Sequence, residues 1–202
     1  TACTICRAGY YCPNGAAAPL PCAGGTWSSS VKLTSASECK AADAGHFSPT
    51  GSKQQTPCRP NTFNPAVGQE SDAACISCTP NSTTDNRAGQ VQLADCVCGA
   101  GYYEHSPTHK WTAGAVDCRT CPSGSICPKP GVVLATLPIK RGYFRLSNSS
   151  IDVRRCPDAA TNCADEPECS ESTSGCRGSI DINESATSVL CHPGLDGVFC
   201  LL

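Results

Sequence analysis

Methionine is absent from this 202-residue chain, and large side chains are scarce: aromatic residues make up only 5% of it. A chain of this length suffices for one ordinary domain, yet it is poor in the residues that fill a core. Position 1 is Thr, with no charged-then-apolar leader after it, and the last residue, Leu202, stands just past Cys200. The sequence is therefore expected to be a fragment of a longer, processed chain. Long apolar runs are missing as well. The longest largely apolar stretch, Val132 to Ile139, contains Pro138 and falls well short of the about 20 residues that span a bilayer. Any membrane anchor is expected outside these residues. Neither sign of charge dominates: the net charge of -2 gives nucleic-acid binding no electrostatic basis.

Catalytic constellations are also lacking. The four histidines are His46, His105, His109 and His192. His105 and His109 have the i, i+4 spacing of a helical zinc pair, but Pro107 lies between them and argues against one helical face. There is no nucleophile elbow, no phosphate-cradling glycine loop and no convincing carboxylate pair, so no enzyme activity, catalytic residue, metal or cofactor is expected. Asp181-Ile-Asn183-Glu184 offers too few hard oxygen ligands to be read as a calcium site.

What the chain does contain is 19 cysteines, with 18 glycines and 16 prolines around them. That content marks a disulfide scaffold in an oxidising compartment, extracellular or at the cell surface. The opening, Cys3-x-x-Cys6-x-x-Gly9-Tyr10-Tyr11, returns as Cys96-x-Cys98-x-x-Gly101-Tyr102-Tyr103, and successive cysteines keep an even interval. Cys22 to Cys39 is 17, Cys39 to Cys58 is 19, Cys58 to Cys75 is 17, Cys78 to Cys96 is 18 and Cys98 to Cys118 is 20. Gly25-Thr26-Trp27, Gly45-His46-Phe47 and Asn61-Thr62-Phe63 place Gly or Asn before an aromatic, where positive φ permits a sharp turn. The expected fold class is small, disulfide-rich and mostly β or irregular: an elongated tandem array of short two-stranded β-ribbon repeats with little helix. Ser35-Ala-Ser-Glu38 has the form of a capping box, allowing one turn at most.

Pairing is not determined by cysteine positions alone. The arrangement that closes one unit with each bridge is Cys22–Cys39, Cys58–Cys75, Cys78–Cys96 and Cys98–Cys118. Zinc is the competing use, since Cys75-x-x-Cys78 and Cys118-x-x-Cys121 have ligand spacing. The two pairs are far apart in sequence, however, and zinc would leave the other cysteines unexplained. An odd total leaves at least one cysteine without a mate here; the mate lies past Leu202 or on another chain. Three sequons, Asn81-Ser-Thr83, Asn148-Ser-Ser150 and Asn183-Glu-Ser185, are candidate sites for N-linked glycans.

Residues 1–121, through Cys3-x-x-Cys6-x-x-Gly9-Tyr10, Cys22-x-x-Gly25-Thr-Trp27, Cys75-x-x-Cys78-x-Pro80 and Cys118-x-x-Cys121-Pro122, resemble tandem ephrin-receptor-like cysteine-rich repeats, relatives of the tumour-necrosis-factor-receptor type. Single cysteines at 22, 39 and 58 depart from that pattern, which often has pairs there. Residues 122–202 read as a second cysteine-rich region, and its end, Cys191-His-Pro-Gly-Leu-Asp-Gly-Val-Phe-Cys200, is similar to an epidermal-growth-factor-like closing loop. Lys129, Lys140, Arg141, Arg145, Arg154 and Arg155 form a basic stretch, followed by acidic Asp158, Asp165, Glu166, Glu168 and Glu171. Such an asymmetry allows head-to-tail contact between copies. The expected function is that of a non-catalytic structural or adhesive glycoprotein segment, a stapled spacer in a surface fibre or flagellar-hair assembly, whose partners are proteins, copies of itself among them. The resemblance to receptor repeats implies the alternative, a ligand-binding receptor ectodomain.

Overall fold

In the computed structural model the described residues are 6–105, 116–157, 175–178 and 191. The chain divides into two compact units, Thr1–Cys96 and Val97–Leu202. The change of rhythm expected at Cys121 thus lies within the second unit.

Secondary structure is minimal and repetitive. In the first unit, β1 (Tyr10–Tyr11) pairs with β2 (Leu20–Pro21), β3 (Thr26–Trp27) with β4 (Lys40–Ala41), β5 (His46–Phe47) with β6 (Thr56–Pro57), and β7 (Thr62–Phe63) with β8 (Ile76–Ser77). All four ribbons are antiparallel. β9 (Ser82–Thr83) follows in the same unit, and β10 (Val97–Cys98) opens the second. There β11 (Tyr102–Glu104) pairs with β12 (Cys118–Thr120) and β13 (Tyr143–Arg145) with β14 (Val153–Arg155), again antiparallel. Among the described residues, helix is confined to single 3-10 turns. One is Ala36–Glu38, where the Ser35 side chain and the Glu38 carboxylate close the expected capping box.

Each ribbon begins at a turn of type II form. In the second repeat, Thr26 donates its N–H to the Ala23 carbonyl (3.0 Å) while Gly25 holds φ at 81°. Asn61 and Asn81 occupy the same turn position at φ 65° and 63°, each preceded by Pro, which pre-sets the first corner. The sequence pattern of Gly or Asn before an aromatic is this turn.

The turns are also the joints between repeats. Gly25 donates its N–H to Ser48 O in the next repeat (2.7 Å), and its carbonyl accepts from Ala42 N (2.9 Å). Gly9 does the same with Ser28 O and Cys22 N (both 2.8 Å), and Gly45 with Asn64 O (2.7 Å) and Cys58 N (2.8 Å). A second ladder runs from the loops: Lys32 N to Cys6 O, Gly51 N to Cys22 O, Gly68 N to Ala42 O and Gly89 N to Cys58 O. These loop residues, too, have positive φ, from 63° at Lys32 to 77° at Gly51. The loops press so closely on earlier turns that a Cβ on Gly25 would fall on the Gly68 carbonyl, and one on Gly9 on that of Gly51. Main-chain hydrogen bonds therefore stack each repeat on its neighbours, as repeat arrays require.

The second unit carries the same backbone pattern into a different interior. Gly101 N donates to Cys127 O and Gly131 N to Cys98 O (both 2.8 Å); Gly142 N donates to Cys176 O (3.0 Å) and its carbonyl accepts from Cys156 N (2.9 Å). Here an apolar core forms from Tyr103, Val132, Leu134, Leu137, Ile139 and Phe144 around Cys127, Cys156 and Cys176.

Candidate functional site

The cysteines assigned in pairs from the sequence are brought together in those pairs: Cys22–Cys39, Cys58–Cys75, Cys78–Cys96 and Cys98–Cys118, with Cα atoms 5.4 to 5.9 Å apart. Cys121–Cys127 and Cys156–Cys176 are bonded as well. Disulfides in this number are the mark of an extracellular or secreted protein. Among the described residues the free thiol is Cys6, which is buried and donates to the Tyr10 carbonyl (3.0 Å). Burial, with Glu38 nearby, pushes its pKa up, which suppresses the reactive thiolate.

Ribbon register shows what each bridge replaces or lacks. The first cysteine of a bridge stands three residues before the turn Gly or Asn, and the second lies opposite the residue that follows the aromatic strand. By register, these two slots hold Cys6 and Pro19 in repeat 1, Cys22 and Cys39 in repeat 2, Ala42 and Gln55 in repeat 3, and Cys58 and Cys75 in repeat 4. Repeat 3 has no staple. In its place the Gln55 side chain accepts from Asp43 N (2.8 Å) and donates to the Asp43 carboxylate (2.7 Å). In the second unit, Ile139 and Val153 stand in the same two slots, and both pack in the apolar core.

Asn81 and Asn148 are exposed, as an N-glycan requires, while Asn183 lies outside the described residues, as do His109, His192 and Asp181. The basic stretch is not one surface. Arg145 is buried (6% exposed) and donates to the Leu134 carbonyl (2.7 Å), and the same burial pushes its pKa down. Arg154 pairs with Asp152 (2.6 Å). Nothing in the spacing of the arginines distinguishes the buried one. The signal is its place directly after the aromatic strand residues Tyr143 and Phe144, the slot where Ser28, Ser48 and Asn64 are buried in other repeats.

Among the described residues, a solvent-open groove of about 520 Å³ lies within the first unit. One wall is the repeat 1 turn, with Arg7, Ala8 and Tyr10; the other is the repeat 3 loop from Pro49 to Thr56, including Lys53. The Arg7 guanidinium lies over the Tyr10 ring, 4.4 Å from its centroid. The floor is held by Gly51 N–H on Cys22 O (2.9 Å) and by the Ser52 hydroxyl on Pro49 O (2.6 Å). Sequence reasoning missed this groove because its walls are about 40 residues apart in the chain. Among the described residues, no cluster of His, Cys, Asp or Glu has metal-site geometry, and no helix is long and apolar enough to cross a membrane.

No protein-family model matches the chain, and no curated protein is similar to it.

Proposed function

We propose that this chain is a structural or adhesive segment of an extracellular glycoprotein, a spacer that resists extension and proteolysis. The observation that carries this reading is the double main-chain ladder running through the repeats, of which the second and fourth are closed by disulfides. Force applied along such an array loads hydrogen bonds between repeats, while the residues inside each staple stay out of reach. Glycans on Asn81 and Asn148 would keep the exposed faces soluble. The proposal includes kinship with ephrin-receptor-like repeats and membership of a surface fibre or flagellar hair, on the strength of the cysteine spacing and the turns.

Single-molecule extension before and after reduction tests it. Each of the 17-residue loops should stay locked when oxidised and add about 50 Å of contour length once reduced. Identical extension in both states would refute the spacer reading. A second reading, a ligand-binding ectodomain, is favoured by the groove at Arg7 and Lys53. Mapping bridges on unreduced native material separates the two: a peptide crosslinked between copies supports the assembly, and wholly intrachain bridges support the ectodomain.

A further inference from the structure

We propose that the groove between the repeat 1 turn and the repeat 3 loop binds an acidic polysaccharide, with Arg7 and Lys53 receiving its carboxylate or sulfate groups. The chain as a whole is slightly acidic, with 17 Asp and Glu against 15 Lys and Arg, yet no carboxylate lines this groove and two cations do. Anions are therefore favoured here against the average of the surface.

The Arg7 side chain is held in advance. Its position 4.4 Å over the Tyr10 ring restricts an otherwise flexible chain, so less entropy is lost when a carboxylate or sulfate group meets the guanidinium fork. Lys53, exposed on the facing wall, supplies a compact second charge. Between them Ser52, Gln54 and Thr56 offer hydroxyl and amide groups of the kind that sugar hydroxyls pair with.

The lining argues against a peptide. Protein ligands are anchored by side chains buried in apolar pockets, whereas only Ala8 and Pro49 contribute purely apolar residues to this groove. A groove open to solvent also accommodates a polymer, whose chain enters and leaves at the ends, better than a small molecule that needs enclosure. The walls belong to repeats 1 and 3, the two repeats of this stretch whose slots hold no complete staple.

The test is titration of the full chain with a heparin-derived hexasaccharide, an oligogalacturonate of the same length, a neutral dextran oligosaccharide and a polyglutamate peptide. Binding of either acidic sugar, weakened by added salt, is expected, and which one binds identifies the anion. R7K should weaken it about threefold and K53A about tenfold, through loss of the bidentate fork and of one charge respectively. K129A, in the second unit, should leave it unchanged. Both groove substitutions are at exposed positions, and thermal unfolding checks that they leave the fold intact. The proposal is overturned if neither acidic sugar binds, if K53A binds like the unmodified chain, or if polyglutamate or the neutral sugar binds as tightly.

Discussion

The two units use one backbone device and fill it differently. In the first, the turn residues Gly9, Gly25 and Gly45 and the loop glycines Gly51, Gly68 and Gly89 lock repeats through their main chains. Most of the buried positions there are small, among them Cys22, Ser28, Ala42, Ser48, Cys58, Asn64 and Thr84, with Leu33 the large apolar exception among the described residues. In the second, the same turn recurs at Gly101 and Gly142, but Leu134, Leu137, Ile139 and Phe144 gather into a core. The slots that hold Cys58 and Cys75 in repeat 4 hold Ile139 and Val153 in the second unit. The same two slots are thus joined covalently in repeat 4, bridged by the Asp43–Gln55 hydrogen bonds beside them in repeat 3 and packed into an apolar core in the second unit, while in repeat 1 Cys6 stays a free thiol.

That difference predicts where each unit is fragile. Gly25→Ala should be the most damaging single change in the first unit. Its Cβ would meet the Gly68 carbonyl, a backbone atom that cannot swing aside, at a residue already at φ 81°. A loss of about 4 kcal/mol is expected from strain and overpacking together. Hydrogen exchange should show it in residues 6–96 while the second unit keeps its protection.

Leu134→Ala is the converse. Leu134 is 3% exposed within the apolar core, and truncation there should cost about 3 kcal/mol, with lost protection confined to residues 97–157. If it loosened the first unit as much, the two interiors would not be independent.

New staples should sharpen the comparison in the stabilising direction. Ala42→Cys with Gln55→Cys fills both slots of repeat 3 in the register that Cys22–Cys39 occupies one repeat earlier. Closing that loop should add up to about 3 kcal/mol, less the lost Asp43–Gln55 hydrogen bonds. Pro19→Cys offers Cys6 a mate by the same register. Thiol titration reads the outcome: the buried thiol should disappear in the Pro19 variant and no new one should appear in the double variant.

The ribbons and their closing bridges could be read from the sequence because they rest on side chains with fixed roles. Cysteine intervals of 17 to 20 mark the stapled loops, Gly or Asn before an aromatic marks the turns, and Ser35 with Glu38 marks one of the 3-10 turns. The ladders between repeats could not be read in this way. They join main-chain atoms, and in the sequence Gly51, Gly68 and Gly89 look like ordinary loop residues. Repeat 3 was obscure for the opposite reason. A search for cysteines passes over Ala42 and Gln55, although the fold treats them as the same two slots. The groove needed the ladder first, since only the stacking of repeat 3 on its predecessors brings Lys53 near Arg7.

The smallest expected effect concerns the helical turn beside the second ribbon. The Glu38 carboxylate accepts from Thr34 N (2.8 Å), the Thr34 hydroxyl (2.9 Å) and Ser35 N (2.9 Å), and the Thr34 bonds above all hold its pKa below the ordinary carboxylate value. A carboxyl with a lowered folded-state pKa binds protons more weakly folded than unfolded. Its contribution is thus complete above the unfolded value, near pH 4.3, and is lost as pH falls through the lower folded one. The group is fully exposed, so solvent screening keeps the effect slight. Glu38→Gln should nonetheless flatten the acid limb of the first unit's stability below about pH 4.3 and leave that of the second unchanged. An unchanged acid limb would mean that Cys22–Cys39, whose second cysteine directly follows this turn, holds it without help from the cap.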